Sequence, residues 1–321
     1  GSEMCIRDRY YSMPVNLIDE IFETYVPEWI GESLLFLSNF EYIKVLEWEQ
    51  KGYLKLNDNI SASLLSSSLA SNHTLEEILF TYPVTIDSHI WLLFEYESDI
   101  TYHSHGRNWK EILKTLVQDN KITRSKVLKS CISAINLNFS KDHNTWFLEL
   151  FTYLVPTDKE IIALQEELFV VFHSVQHSLF PGILKIVSPV ITQNDFKTEE
   201  FLQATASLMT LTTKNVVNAL LQILEKIAKN SKPLHEEICI LLMPAFLNKD
   251  KALQTKGAKI LAKYGDPNSV KIQNELMLYT GSILSDAQTL LENFLVENEI
   301  PQKATVKDYE TVSWHLSQPI A

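Results

Sequence analysis

Apolar and polar positions alternate along most of this chain with the spacing of amphipathic helices, most clearly toward the C-terminal side. From Glu225 to Pro267 the sequence reads EKIAKNSKPLHEEICILLMPAFLNKDKALQTKGAKILAKYGDP. Leu234, Ile238, Leu241, Leu242 and Ala245 fall on one helical face, and Pro233 suits a first turn, where its missing N–H costs nothing. After Asn248-Lys249-Asp250, a second stripe of Ala252, Leu253, Ala258, Leu261 and Ala262 runs until Gly265-Asp266-Pro267 stops it. Two antiparallel helices joined by a tight turn are predicted, a unit of the HEAT type.

Neighbouring stretches scan the same way. Helix pairs are predicted at 123–137 with 144–154, 158–172 with 178–187, 198–209 with 213–229, and 267–279 with 282–296, with caps at Thr123, Thr157 or Asp158, Thr198, Thr213 and Ser282. The period is about forty residues, as in armadillo and HEAT arrays, and a lone hairpin cannot cover its own apolar stripe. The expected fold class is therefore all-α, a HEAT/armadillo-like α-α solenoid of stacked helical hairpins occupying 121–296. Residues 10–120 are less regular. Helices are predicted at 14–25 and 32–52, followed by two shorter ones in SASLLSSSLA and HTLEEILFTYP. The run SHIWLLFEYESDI fits helix or strand, because it is too short for periodicity to separate them. This region is either a degenerate start of the array or a distinct helical cap. Residues 297–321 lose periodicity and are expected to form a linker.

The nine residues GSEMCIRDR at the start read as the translation of a transposase-type sequencing adapter, so Gly1–Arg9 are set aside as non-native, and the chain as a fragment of a longer bacterial protein. Composition narrows the class further. Only 8 Gly in 321 residues, with 45% hydrophobic and 21% charged residues, suits a folded helical chain. No window approaches eighteen uncharged apolar residues, so no membrane span is expected. A formal charge of −12 opposes broad nucleic-acid binding, which needs a basic face. Cys131 and Cys239 lie in apolar helical patterns and are expected as buried free thiols of a cytoplasmic protein.

The stretch from Gly106 to Glu160 carries a recognisable pattern: Trp109 opening a helix, Arg124 before Val127-Leu128, Phe139 ahead of Trp146-Phe147, then Leu154, Pro156 and Glu160. It resembles the central part of a large bacterial family of helical-repeat proteins of unknown function, and the likeness extends from about Trp91 to Leu295. Genes of that family often lie near SWIM-type zinc-finger and MoxR-type ATPase genes. The resemblance implies a helical-repeat fold and protein partners, an ATPase or a zinc-finger protein among them, and implies no catalytic residue.

Candidate chemistry is sparse. His103 and His105 in YHSHGRNW, with His89 nearby, are weak candidates for a metal site that lacks a third ligand, and a polar loop is the simpler reading. In HSVQH, His173 and His177 straddle a predicted helix end, so their rings are expected to diverge. Glu166-Glu167, Glu199-Glu200 and Glu236-Glu237 read as solvated helix faces. Lys226, Lys229, Lys232, Lys249, Lys251, Lys256, Lys259 and Lys263 form a basic zone, its strip from Lys249 to Lys263 able to hold a phosphate backbone if it lies on the concave side, while the solvent face of amphipathic helices is the simpler reading. Trp109 and Trp146 read as core anchors. No catalytic group or cofactor is assigned. The function expected is a non-enzymatic protein-binding scaffold; the alternative is a DNA-binding HEAT-like protein such as an alkylation-repair glycosylase.

Overall fold

In a computed structural model of the chain, the described residues are 13–28, 30–34, 40–102 and 106–295. Among them the fold is all-helical, with no β-strand. The N-terminal part holds α1 (Val15–Phe22), α2 (Tyr42–Gln50), α3 (Asp58–Ser67) and α4 (Leu75–Phe80). α1 buries Ile18 and Phe22, and Phe22 meets Trp48 of α2 edge to face at 4.9 Å. The helix predicted over 32–52 is not continuous. A single turn at Ile30–Ser33 is separate from α2, because Glu41 is extended (ψ 141°) and restarts the helix. α4 opens with a capping box between Thr74 and Glu77, which satisfies two otherwise unpaired donors.

The run left open between helix and strand is helical. A wide π-turn at Thr85–His89 leads into Ile90–Leu92. The turn buries Thr85 and His89, and the Tyr42 hydroxyl joins both, at 2.8 Å from Thr85 Oγ1 and 2.9 Å from His89 Nδ1. Burial lowers the pKa of His89 and raises that of Tyr42, so both groups are held neutral.

Beyond this come α5 (Trp109–Gln118), α6 (Arg124–Asn136), α7 (Lys141–Tyr153), α8 (Asp158–Ala163), α9 (Gln165–Val170) and α10 (Phe180–Val187). They are followed by α11 (Thr198–Thr205), α12 (Lys214–Asn230), α13 (His235–Leu242), α14 (Lys251–Tyr264), α15 (Val270–Met277) and α16 (Ser285–Leu290). Two interleaved series of contacts organise them. α9 touches α6 and α11, the 3₁₀ tail of α11 touches α13 and its tail, and α13 touches α15. In the other series α7 touches the 3₁₀ turn that opens α10, and α10, α12, α14 and α16 each touch the next. The first-series elements, counted with their 3₁₀ tails, end at Asn136, His173, Thr210 and Leu247, a constant step of 37 residues.

Several predicted boundaries change. The helix expected over 158–172 breaks at Leu164 (φ −112°, ψ 12°) into α8 and α9, with a 3₁₀ tail to His173. That over 198–209 leaves α geometry at Thr205, whose buried hydroxyl bonds back to the Phe201 carbonyl at 2.8 Å. The helix expected from Ser178 starts instead at Phe180, after a 3₁₀ turn. α15 begins at Val270 under a Ser269 cap, and Ser282 lies in a 3₁₀ turn rather than capping α16. Thr157 forms a full capping box, whereas the hydroxyls of Thr123 and Thr213 make no cap bond and Thr198 is already helical. Asn108, not among the predicted caps, accepts from Glu111 N at the start of α5.

Three successive helices, α5, α6 and α7, end in a left-handed residue: Asn120 (φ 54°), Asn138 (φ 56°) and Val155 (φ 50°). This is the usual way to turn the chain out of a helix, and asparagine tolerates it far better than a β-branched residue. Val155→Asn is therefore expected to raise stability by about 1 kcal/mol. The check is a higher urea midpoint with unchanged slope.

Candidate interaction surface

Arg124, the first residue of α6, reaches across the end of α7. Its Nε donates to Glu160 Oε1 at 2.7 Å and its Nη2 to Glu160 Oε2 at 3.1 Å, while Nη2 also meets the carbonyls of Leu154 (3.0 Å) and Val155 (3.1 Å). Glu160 in turn accepts from the Thr157 backbone N–H at 2.8 Å. One guanidinium thus closes the C-terminus of α7 and the N-terminus of α8 together, by fork-to-fork geometry that lysine could not reproduce. The Arg124 bonds hold the Glu160 carboxyl far below its usual range, at about 2. The other motif residues are packing groups. Trp109 is fully buried and donates Nε1 to the Ser66 carbonyl at 3.1 Å. Trp146 meets Phe147 edge to face at 5.2 Å, and Phe139 lies 6.3 Å from Phe147.

An open cleft of about 300 Å³ lies in the N-terminal part, lined by Val15, Glu41, Ile43, Lys44, Glu47 and His73. Lys44 is shared by Asp19 (2.6 Å) and Glu47 (2.8 Å), Lys51 binds Glu47 at 2.6 Å, and His73 sits between Glu41 (2.9 Å) and Glu77 (3.7 Å). Two carboxylates, Glu41 and Glu47, line the cleft beside Lys44 and His73, and both are paired within the fold. The sequence held no sign of it, because its walls come from α1, α2 and the turn before α4, in no recognisable spacing.

The candidate residues are not brought into one constellation. His103 and His105 lie outside the described residues. Among the described residues, no group of three or more His, Cys, Asp or Glu side chains could hold a metal ion. His173 closes one 3₁₀ turn and His177 opens the next, so the two belong to different elements. Of the five-lysine strip, Lys251 is paired with Asp286 at 2.7 Å, and Lys256, half-buried with its pKa lowered by burial, donates to Asn218 Oδ1 at 2.8 Å. Lys249, Lys259 and Lys263 are exposed. The acidic pairs read as solvated faces include members that tie neighbouring elements: Glu166 to Lys197, Glu167 to Lys129 at 3.4 Å, and Glu236 to Lys271 at 2.9 Å.

Cys131 and Cys239 are fully buried, and burial raises both thiols, Cys239 to about 12. Neither should react with an aromatic disulfide reagent at pH 8 in the native chain, since the thiolate is the nucleophile. Denaturation should release two additional titratable thiols, and rapid native labelling of either would contradict the burial.

Over residues 5–215 the chain matches the family described as a domain of unknown function, DUF6493. The chain belongs to that family. No curated protein and no solved structure gives a significant match to it. The DUF6493 match starts inside Gly1–Arg9, takes in the whole of 10–120 and stops at Asn215 in α12, whereas the resemblance read from the residues ran from about Trp91 to Leu295. The Arg124–Glu160 clamp and the acidic cleft both lie within the DUF6493 match; the strip from Lys249 to Lys263 lies beyond it. No helix among the described residues is long and apolar enough to cross a membrane.

Proposed function

We propose that the chain is part of a HEAT/armadillo-type α-solenoid that acts as a non-enzymatic, protein-binding scaffold in the bacterial cytoplasm. The observation that carries this reading is the 37-residue step between the ends of the first-series elements, combined with two helix series in which each member touches the next. Arrays of this kind present long surfaces on which partners dock without reactive groups. The acidic cleft beside His73 supports a partner segment bearing lysine or arginine, which would complement Glu41 and Glu47. An ATPase of the MoxR type or a SWIM-type zinc-finger protein is the candidate partner.

Affinity capture with the full chain tests the reading. The expected result is a stoichiometric partner whose retention drops at least tenfold with Glu41→Lys/Glu47→Lys. Absence of any partner beside a measurable catalytic turnover would contradict it. The exposure of Lys249, Lys259 and Lys263 favours one second reading, a DNA-binding array. Fluorescence anisotropy with duplex DNA at two salt concentrations separates the two. Micromolar binding with a steep salt slope supports the DNA reading, and no binding at low salt removes it.

A further inference from the structure

The two helix series carry opposite charge. α9, α11 and α13 of the first series hold six glutamates and no lysine or arginine: Glu166, Glu167, Glu199, Glu200, Glu236 and Glu237. α10, α12 and α14 of the second hold eight lysines against one acidic side chain, Glu225. The formal charge of the whole chain is −12, so this excess of lysine is local and runs against the composition.

Pairing within the fold sharpens the contrast. Lys214 and Lys251, at the starts of α12 and α14, bind Asp250 and Asp286, each at 2.7 Å. The other six, Lys185, Lys226, Lys229, Lys256, Lys259 and Lys263, have no carboxylate partner among the described residues. Lys226 and Lys256 donate only to neutral oxygens, of Ser188 at 2.6 Å and of Asn218 at 2.8 Å, and each bond reaches 38 residues back along the chain. That shared interval, close to the 37-residue step, places equivalent positions of successive helices side by side. By that step Lys185, Gln222 and Lys259 are equivalent, as are Lys226 and Lys263. Gln222 and Lys226, like Lys259 and Lys263, stand one helical turn apart and share a face. Lys185, Gln222, Lys259 and Lys263 are exposed and Lys226 is half-buried. The result is one basic face across three helices, roughly 20 Å wide at the usual interhelical spacing.

We propose that this face binds an acidic segment of a protein partner, whose Asp and Glu side chains complete the unpaired lysines of α10, α12 and α14. The inference rests on the protein-binding reading and adds the partner's chemistry at a second surface. Charge complementarity selects the occupant. Duplex DNA fits the face less well. None of the chain's four arginines lies in these helices, so no guanidinium fork is offered to phosphates or bases. Their aromatic side chains are Phe180, which is buried, and Tyr264, whose ring Lys263 covers at 4.9 Å, which leaves nothing for a base to stack on. The glutamates of the other series and the net charge repel a polyanion that extends past the face, whereas a short acidic segment is confined to it.

Fluorescence anisotropy of the full chain with a labelled oligoglutamate peptide tests the proposal. The expected result is binding at low salt that weakens about tenfold with Lys185→Glu/Lys259→Glu/Lys263→Glu, and does not weaken with Glu199→Gln/Glu200→Gln on the other series. Lys185→Gln/Lys259→Gln/Lys263→Gln removes the charge without reversing it and should give a smaller loss in the same direction. No binding of the peptide at low salt overturns the proposal. So does binding that ignores both lysine sets, or duplex DNA that binds the face more tightly than the peptide. If a captured partner is retained by the chain carrying the lysine substitutions but lost with Glu41→Lys/Glu47→Lys, the scaffold reading stands and only this face falls.

Discussion

Trp109→Ala should lower the unfolding free energy by about 4 kcal/mol. The indole is fully buried and its Nε1–H satisfies the carbonyl of Ser66, near the end of α3, at 3.1 Å. Truncation leaves both a cavity and an unpaired buried acceptor, and the two costs add. Trp109→Phe keeps much of the ring volume and should lose only about 1–2 kcal/mol, the cost of the orphaned carbonyl. Urea unfolding of the three chains checks this. Because Trp109 opens α5 while Ser66 belongs to α3, the alanine variant should also loosen residues 58–70 in hydrogen exchange before the rest. A loss under 1 kcal/mol for alanine would show that the N-terminal helices do not depend on this anchor.

Arg124→Met should cost about 2 kcal/mol, a value reduced from that of a fully buried pair because the Arg124 and Glu160 side chains keep 35% and 25% exposure. The methionine leaves the carbonyls of Leu154 and Val155 without their donor and Glu160 without its countercharge. The pH dependence gives a more specific signature. Glu160 ionises near pH 2 in the folded chain and near the ordinary value of about 4.3 when unfolded. Between those values the unfolded chain binds the extra proton, so acid takes stability away. The contribution is fully present above about pH 4.3 and is lost as pH falls through the window toward about 2. In Arg124→Met that window should narrow, giving a shallower acid limb in stability measured from pH 5 to pH 2.5. An unchanged limb would mean that the Thr157 capping bonds alone hold Glu160 ionised.

Much of the helical pattern was legible in the residues because it depends on local periodicity. The stripe from Leu234 to Ala245 and the second from Ala252 to Ala262 appear as α13 and α14, but Leu234 and Ala245 fall in the 3₁₀ turns flanking α13, and Ala252 and Ala262 of the second stripe are exposed. The helices are joined through Asp250, whose carboxylate caps Ala252 and Leu253. What periodicity could not supply was the end of each element. The first-series helices end in 3₁₀ turns at His173, Thr210 and Leu247, and the spacing of those ends is 37 residues where about forty was expected.

The motif residues were recognisable as a pattern before their physical role was. Arg124 and Glu160 are 36 residues apart, and only the folded backbone shows that they clamp two helix ends. The acidic cleft was invisible for the same reason, since Glu41, Lys44, Glu47 and His73 carry no motif spacing. The lysines illustrate the opposite failure. They cluster in sequence from Lys249 to Lys263, yet Lys251 is engaged by Asp286, Lys256 by Asn218, and Lys263 lies 4.9 Å over the Tyr264 ring.

The most direct test of the stacked-repeat account is a set of spin-label distances along one edge, with Cys5 replaced by serine and the buried Cys131 and Cys239 left in place. Labels at Leu137 paired in turn with Val175, Leu211 and Leu247 sample successive turns between the two helix series. If the units stack in line, each step should add roughly one interhelical spacing of about 8–10 Å, so the three distances rise in order. A distance from Leu137 to Leu247 equal to or shorter than that to Val175 would mean the units fold back on one another, and would contradict the account.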